Sequence, residues 1–225
     1  MSNRNISLTL FQFQYTSFFP PLGALYLAYG LEKEGVAFNL KIYPMYKYGT
    51  DLDKLSSFFS ESEKIIAVGC WSDMLPYVLV ALEKVKKKFP DKIVILGGFG
   101  PAEVAEEILD KFKFVDFIIK GCGVYLLPRL AKRIISGTGR MRDIDGLVQR
   151  RNGSVISNYY TGYGLNMPDL IPYHRIDNIQ SYRDFHIVTS FGCPYKCTFC
   201  YNRKVSGAKK VIHRDLDKVI EEIKL

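Results

Sequence analysis

The sequence predicts a doubly wound α/β domain on a parallel sheet, and three observations predict it. Short apolar runs recur, with helical patterns between them. One of these runs, 65–69, is apolar throughout, as a strand covered on both faces must be. Glycines stand just past the ends of several runs, where a sheet of this kind admits ligands.

Ile6, Leu8 and Leu10 alternate with polar residues and predict the first strand. Pro20 and Pro21 open the first helix, a position proline suits, and Gly35 ends it. Phe38, Leu40 and Ile42 form the second strand, and 51–59 a weak second helix. After the strand 65–69, Ser72 or Asp73 is expected to cap a helix carrying Leu75, Leu79, Leu82 and Val85. The fourth strand, 93–96, ends at Gly97 and Gly98, and its helix carries Val104, Ala105, Ile108 and Leu109. The fifth strand, 115–119, ends at Gly121. The last helix, 126–135, has Pro128 in its first turn. These strand–helix units predict a flavodoxin-like strand order 2-1-3-4-5 over residues 1–140.

Residues 141–182 follow as a hairpin and linker. Asn152-Gly153 between alternating segments is a strong hairpin signal, and 159–177 is rich in Gly, Pro, Asn and Tyr. Tyr173 and His174 there are expected to be structural. Residues 183–225 begin a second domain. His186 to Ser190 reads as a strand, and Gly192 and Pro194 then turn the chain into a loop. That loop carries Cys193, Cys197 and Cys200 at spacing C-x3-C-x2-C. A basic loop, 203–210, precedes an amphipathic helix starting near Asp215, with Leu216, Val219, Ile220 and Ile223 as its stripe.

Three thiolates on one loop suit an iron–sulfur cluster. On a cubane 4Fe–4S cluster they leave one iron open to a small chelating molecule. A zinc site completed by His186 or His213 is the rival reading, although the second C-x2-C pair usual in zinc knots is missing. A disulfide knot is a weaker rival, since five cysteines occur without a secretory signal. The same features predict a reducing, cytoplasmic compartment. The net charge of +8 is read as solvated helix surface, notably Lys84, Lys86, Lys87 and Lys88. No nucleic-acid motif accompanies the charge, and no run is apolar and long enough to span a bilayer.

The stretch 189–202, with its Ser-x-Gly-Cys-Pro lead-in, resembles the cluster loop of the radical SAM enzymes. The resemblance implies a 4Fe–4S cluster on Cys193, Cys197 and Cys200, with S-adenosylmethionine (SAM) on the open iron and Phe199 near its adenine. It implies reductive SAM cleavage to a 5′-deoxyadenosyl radical, fed by an external electron donor. The preceding domain resembles the cobalamin-binding domain of the class B members. Pro20-Pro21-Leu22-Gly23, Gly97-Gly98-Phe99-Gly100-Pro101 and the stretch 115–121 carry that likeness. By resemblance, Gly97, Gly98, Phe99, Gly100 and Gly121 line the cofactor site. The loop after strand four would lie against the nucleotide tail, and the aromatic run from Phe11 to Phe19 would face the corrin. Methyl transfer or carbon-skeleton chemistry would follow, on a substrate the sequence does not specify.

The chain departs from this pattern in two places. The D-x-H-x-x-G signature of many cobalamin proteins is absent, with no histidine before His174. Gly121-Cys122-Gly123-Val124 stands where the family often has Gly-Glu-Gly-Glu. Two readings of the domain therefore stay open: a cobalamin site, or the fold without the cofactor. Cys70 and Cys122 are expected to be buried small hydrophobes. A six-unit partial barrel needs about 190–200 residues by scaling from the eight-unit barrel. Residues 183–225 supply one strand and one helix of it. The remainder of the barrel is the expected partner, and the 225-residue chain alone is expected to be inactive. The alternative is a non-catalytic corrinoid- or metal-binding module.

Overall fold

The computed structural model describes residues 8–160, 171–177, 179–195, 197–200 and 211–224. Ile6, the basic loop 203–210 and the connector residues 161–170 lie outside them. Seven strands form one sheet: β1 (Leu8–Gln14), β2 (Phe38–Pro44), β3 (Ile65–Gly69), β4 (Ile93–Gly97), β5 (Phe117–Ile119), β6 (Leu147–Arg151) and β7 (Ser154–Ser157). Their order is β2-β1-β3-β4-β5-β6-β7. The first five are parallel, in the expected order, and β6 and β7 add to β5 as an antiparallel hairpin. The hairpin thus extends the sheet instead of standing in a linker. Its turn puts Asn152 at φ 51° and Gly153 at φ 81°, the backbone a two-residue hairpin requires.

Eight helices flank the strands among the described residues: α1 (Leu22–Lys33), α2 (Met45–Tyr48), α3 (Leu52–Ser60), α4 (Leu75–Lys88), α5 (Phe99–Glu103), α6 (Ala105–Lys111), α7 (Gly123–Ser136) and α8 (Leu216–Ile223). Side chains alternate across a strand, so each strand feeds two cores. Phe11, Ile66, Val68, Val94, Leu96 and Ile118 pack on the face of α3, α4 and α6. Leu8, Leu10, Ile65, Ala67, Ile95 and Ile119 pack on the face of α1 and α7. Phe11 and Phe13 are strand residues buried in the first of these cores, not loop residues.

Other expectations shift. The fourth-strand helix breaks at Val104, which is exposed while Ala105, Ile108 and Leu109 are buried. The last helix begins at Gly123, so Pro128 lies inside it. Ser72 and Asp73 make no cap. Met74 is the N-cap residue of α4 and provides no side-chain bond. Of the strand expected at 186–190, only β8 (Ser190–Phe191) forms, paired with β9 (Ile212–His213). A strand needs a ladder partner, and β9 supplies two residues of one. α8 starts where the helix pattern placed it, and Asp215 caps it through the Lys218 amide. Among the described residues, no helix is long and apolar enough to cross a membrane.

The second module is packed onto the first. Leu25 and Tyr26 of α1 join Ile171 and Ile176 in a third core, with Tyr173, Val188 and Phe191 against it. Glu32 of α1 pairs with Arg175 and with His174 at 3.3 Å, and the Tyr173 hydroxyl donates to the His186 carbonyl at 3.3 Å. Arg214 and Glu222 form an ion pair with side chains 1% exposed, and Arg214 also donates to the Val188 carbonyl.

Candidate functional site

A cavity of about 250 Å³ opens at the carboxyl ends of β1, β3, β4 and β5, on the α1 and α7 side. In-register pairing explains it. Apolar side chains fill the α1/α7 face lower down, at Leu10, Ala67 and Ile95, and then the side chains stop: Gly69 stands level with Gly97 across β3 and β4. Leu27 of α1 and Leu127 of α7 form the opposite wall. The lining is mostly apolar, as ligand sites usually are.

The glycines expected to line a cofactor do different things. A Cβ on Gly97 would meet nothing nearer than 3.9 Å, and one on Gly23 nothing within 4 Å. Both face open cavity. Gly98 has φ +88°, and a Cβ there would stand 2.7 Å from the Cys70 carbonyl oxygen. Gly100 is needed for the close approach of the Trp71 backbone. Gly121, at φ +120°, leaves room for the Tyr160 ring, 2.5 Å from where its Cβ would be. The Tyr160 hydroxyl accepts from the Cys122 amide at 3.2 Å. Gly98, Gly100 and Gly121 thus have reasons within the protein itself, and Gly97 does not.

Aromatic rings rim the mouth. Phe99 stacks on the exposed Trp71, with centroids 4.8 Å apart and planes at 27°. Tyr15 lines the cavity and donates its hydroxyl to Asp73 at 3.4 Å. Burial pushes the Tyr15 phenol well above its usual range, and the Asp73 carboxylate adds to this. Trp71 therefore lines the cavity, and Asp73, expected as a helix cap, accepts from the cavity residue Tyr15 instead. Sequence reasoning also missed Gln12, Leu27 and Leu127, whose facing depends on register and helix packing. Cys70 lines the cavity floor at 4% exposure, and its thiol is pushed up to about 12 by burial, with Asp73 adding. Burial raises the Cys122 thiol too.

The loop after β1 joins this cavity to the cysteine segment. The Phe18 carbonyl accepts from the Arg183 and Asp184 amides at 3.0 and 2.9 Å. Phe19 stacks on His186 at 4.1 Å, and the Tyr182 hydroxyl donates to Gln14 at 3.3 Å. Phe191 of β8 meets Tyr26 edge-on at 5.3 Å. Gly192, at φ +90°, then turns the chain into the cysteine loop.

Cys193 and Cys200 are half-buried there and Cys197 is exposed. The Cys200 amide bonds the Cys197 carbonyl at 3.2 Å. Phe199 is 90% exposed. All five cysteines are free thiols. Among the described residues, no three His, Cys, Asp or Glu side chains converge as a ligand set for a metal ion, so neither His186 nor His213 completes one. The donor chemistry of three thiols on one turn nevertheless suits an iron–sulfur cluster.

No family model matches the chain. It is 24% identical over 220 residues to an uncharacterised methyltransferase of Pyrococcus horikoshii, covering 92% of this chain and 45% of that protein. It is 26% identical over 151 residues to the anaerobic magnesium-protoporphyrin IX monomethyl ester cyclase of a Synechocystis strain, covering 61% of this chain and 28% of the cyclase. Among solved structures, it resembles the cobalamin-dependent S-adenosylmethionine radical enzyme OxsB with aqua-cobalamin bound. The TM-score is 0.75 at 16% identity, over 99% of this chain and 32% of that one. It also resembles the radical S-adenosylmethionine methyltransferase TsrM of Kitasatospora setae with cobalamin and a 4Fe–4S cluster bound. Here the TM-score is 0.72 at 19% identity, over 96% of this chain and 46% of TsrM. The chain has the fold these enzymes share and spans less than half the length of each relative.

Proposed function

We propose that the chain is the cofactor-holding part of a cobalamin-dependent radical SAM enzyme. The observation that carries this reading is a juxtaposition. An apolar cavity at a sheet's carboxyl edge is rimmed by a loop that is hydrogen-bonded to the segment leading into three cysteines. The likeness to OxsB and TsrM supports it.

In this reading Cys193, Cys197 and Cys200 hold a 4Fe–4S cluster as thiolates, and their exposed turn can draw together on metal binding. The cluster, when bound, supplies one electron to SAM on its open iron, and cobalamin supplies a methyl-carrying cobalt. Phe199 offers an exposed flat face to the adenine of SAM. Gly97 and Gly23 leave room for the cobalamin tail, while Tyr15, Trp71 and Phe99 form an apolar rim beneath the corrin. No histidine reaches the cavity to ligate cobalt among the described residues. Leu216, Ile220 and Ile223 leave an exposed apolar stripe on α8, against which further barrel elements would pack. With Phe199 and this stripe open to solvent, the 225-residue chain binds its cofactors but cleaves no SAM by itself.

Anaerobic reconstitution with iron, sulfide and cobalamin tests this. The expected product is brown, absorbs broadly near roughly 400 nm, and retains cobalamin through gel filtration. Replacing Cys193, Cys197 or Cys200 by Ala should remove the iron and spare the corrinoid. A colourless protein holding zinc would instead establish the second reading, a non-catalytic binding module.

A further inference from the structure

Within the cavity, one polar side chain is out of pattern. Leu8, Leu10 and Gln12 share a face of β1, and pairing of Phe11 with Val68 puts Gln12 level with Gly69. The Gln12 amide lies in the space a Gly69 side chain would fill, close enough that a Cβ there would overlap it. Glycine at 69 thus lets the amide lie across β3, in the lining of the cavity. Two other polar groups of the lining are committed. The Tyr15 hydroxyl is donated to Asp73, and the Cys70 thiol is held protonated by burial. Gln12 has no hydrogen-bond partner among the described residues, although an amide offers two donors and an acceptor.

Resting on the cobalamin reading above, we propose that Gln12 reads the aromatic nitrogen base of the bound corrinoid. The amide N–H donates to a ring nitrogen lone pair that is not on cobalt. The apolar walls take the faces of the flat ring, and the single amide sets which edge enters. An apolar slot discriminates poorly between rings of similar size. A polar group left unpaired when the wrong ring enters discriminates well.

Three corrinoids test it by equilibrium dialysis on the full chain: cobalamin, cobinamide (which lacks the base), and a cobamide whose base is a phenol without ring nitrogen. Gln12→Met should weaken cobalamin binding about tenfold and leave the other two unchanged. Gln12→Leu is close in size and has neither donor nor charge. It should do the same, and serves if the Met variant unfolds on heating far earlier than the parent. Variants that bind cobalamin as the parent does, or weaken all three corrinoids alike, overturn the assignment and leave the cobalamin reading standing. A parent chain that binds none of the three overturns both.

Discussion

Gly30 of α1 packs directly against the backbone carbonyl of Val124 in α7, so closely that a side chain at 30 would overlap that oxygen. The carbonyl is open to this approach because its usual helical partner would be the amide of residue 128, and Pro128 has none. The two helices close the side of the sheet on which the cavity lies. Gly30→Ala forces them apart through backbone, not through a yielding side chain. It should lower stability by about 1–3 kcal/mol in chemical denaturation.

Gly97 gives the converse case. Its backbone has no positive φ and its missing side chain faces empty cavity. Gly97→Val should therefore leave the thermal midpoint close to that of the parent while abolishing corrinoid retention. Gly98→Ala, strained at φ +88° against Cys70, should unfold earlier. A Gly97→Val variant that still retains the corrinoid would mean that the cavity is no ligand site but a tolerated void.

Cys70 ties stability to alkaline pH. Burial, reinforced by Asp73, raises its folded-state pKa to about 12 from an ordinary 9.0. Below that ordinary value the thiol is protonated in both states and has no effect. Above it the unfolded chain loses the proton and the folded chain keeps it, so stability falls as pH rises. The slope from this group is about 1.4 kcal/mol per pH unit between the two values. Denaturant midpoints measured from pH 8 to 11 should decline, and Cys70→Ala should flatten the decline. Tyr15 and Tyr26, also raised by burial, act in the same direction.

The Arg214–Glu222 pair holds α8 to the segment before the cysteine loop. Glu222→Ala leaves a guanidinium buried without its carboxylate, at a cost of about 3–5 kcal/mol. The loss should be local. Hydrogen exchange should accelerate across 186–191 and 211–224 while β1 to β5 stay protected. Unchanged exchange in that segment would show that the pair does not hold it.

Much of the first domain was legible in the chain. Alternation at Phe38, Leu40 and Ile42 and the apolar run 65–69 marked strands, and Asn152-Gly153 announced its hairpin, because these signals are local. The β8 region misled, since the apolar character of Val188 serves packing onto α1 and not a ladder. Ser72 and Asp73 looked like caps because short polar side chains before a helix suit that place, yet α4 starts one residue later, after Met74.

Periodicity, turn chemistry and cysteine spacing lie within a few residues of one another, so the linear order of amino acids suffices for the strand order and for the three-thiol loop. What a glycine is for depends on which distant atom occupies the space beside it. Gly97 and Gly121 read alike along the chain, yet one faces a cavity and the other makes room for Tyr160. Gln12 likewise gains meaning only when pairing of β1 with β3 sets its amide over Gly69. Contacts between remote segments form when the sheet closes, and no local pattern encodes them.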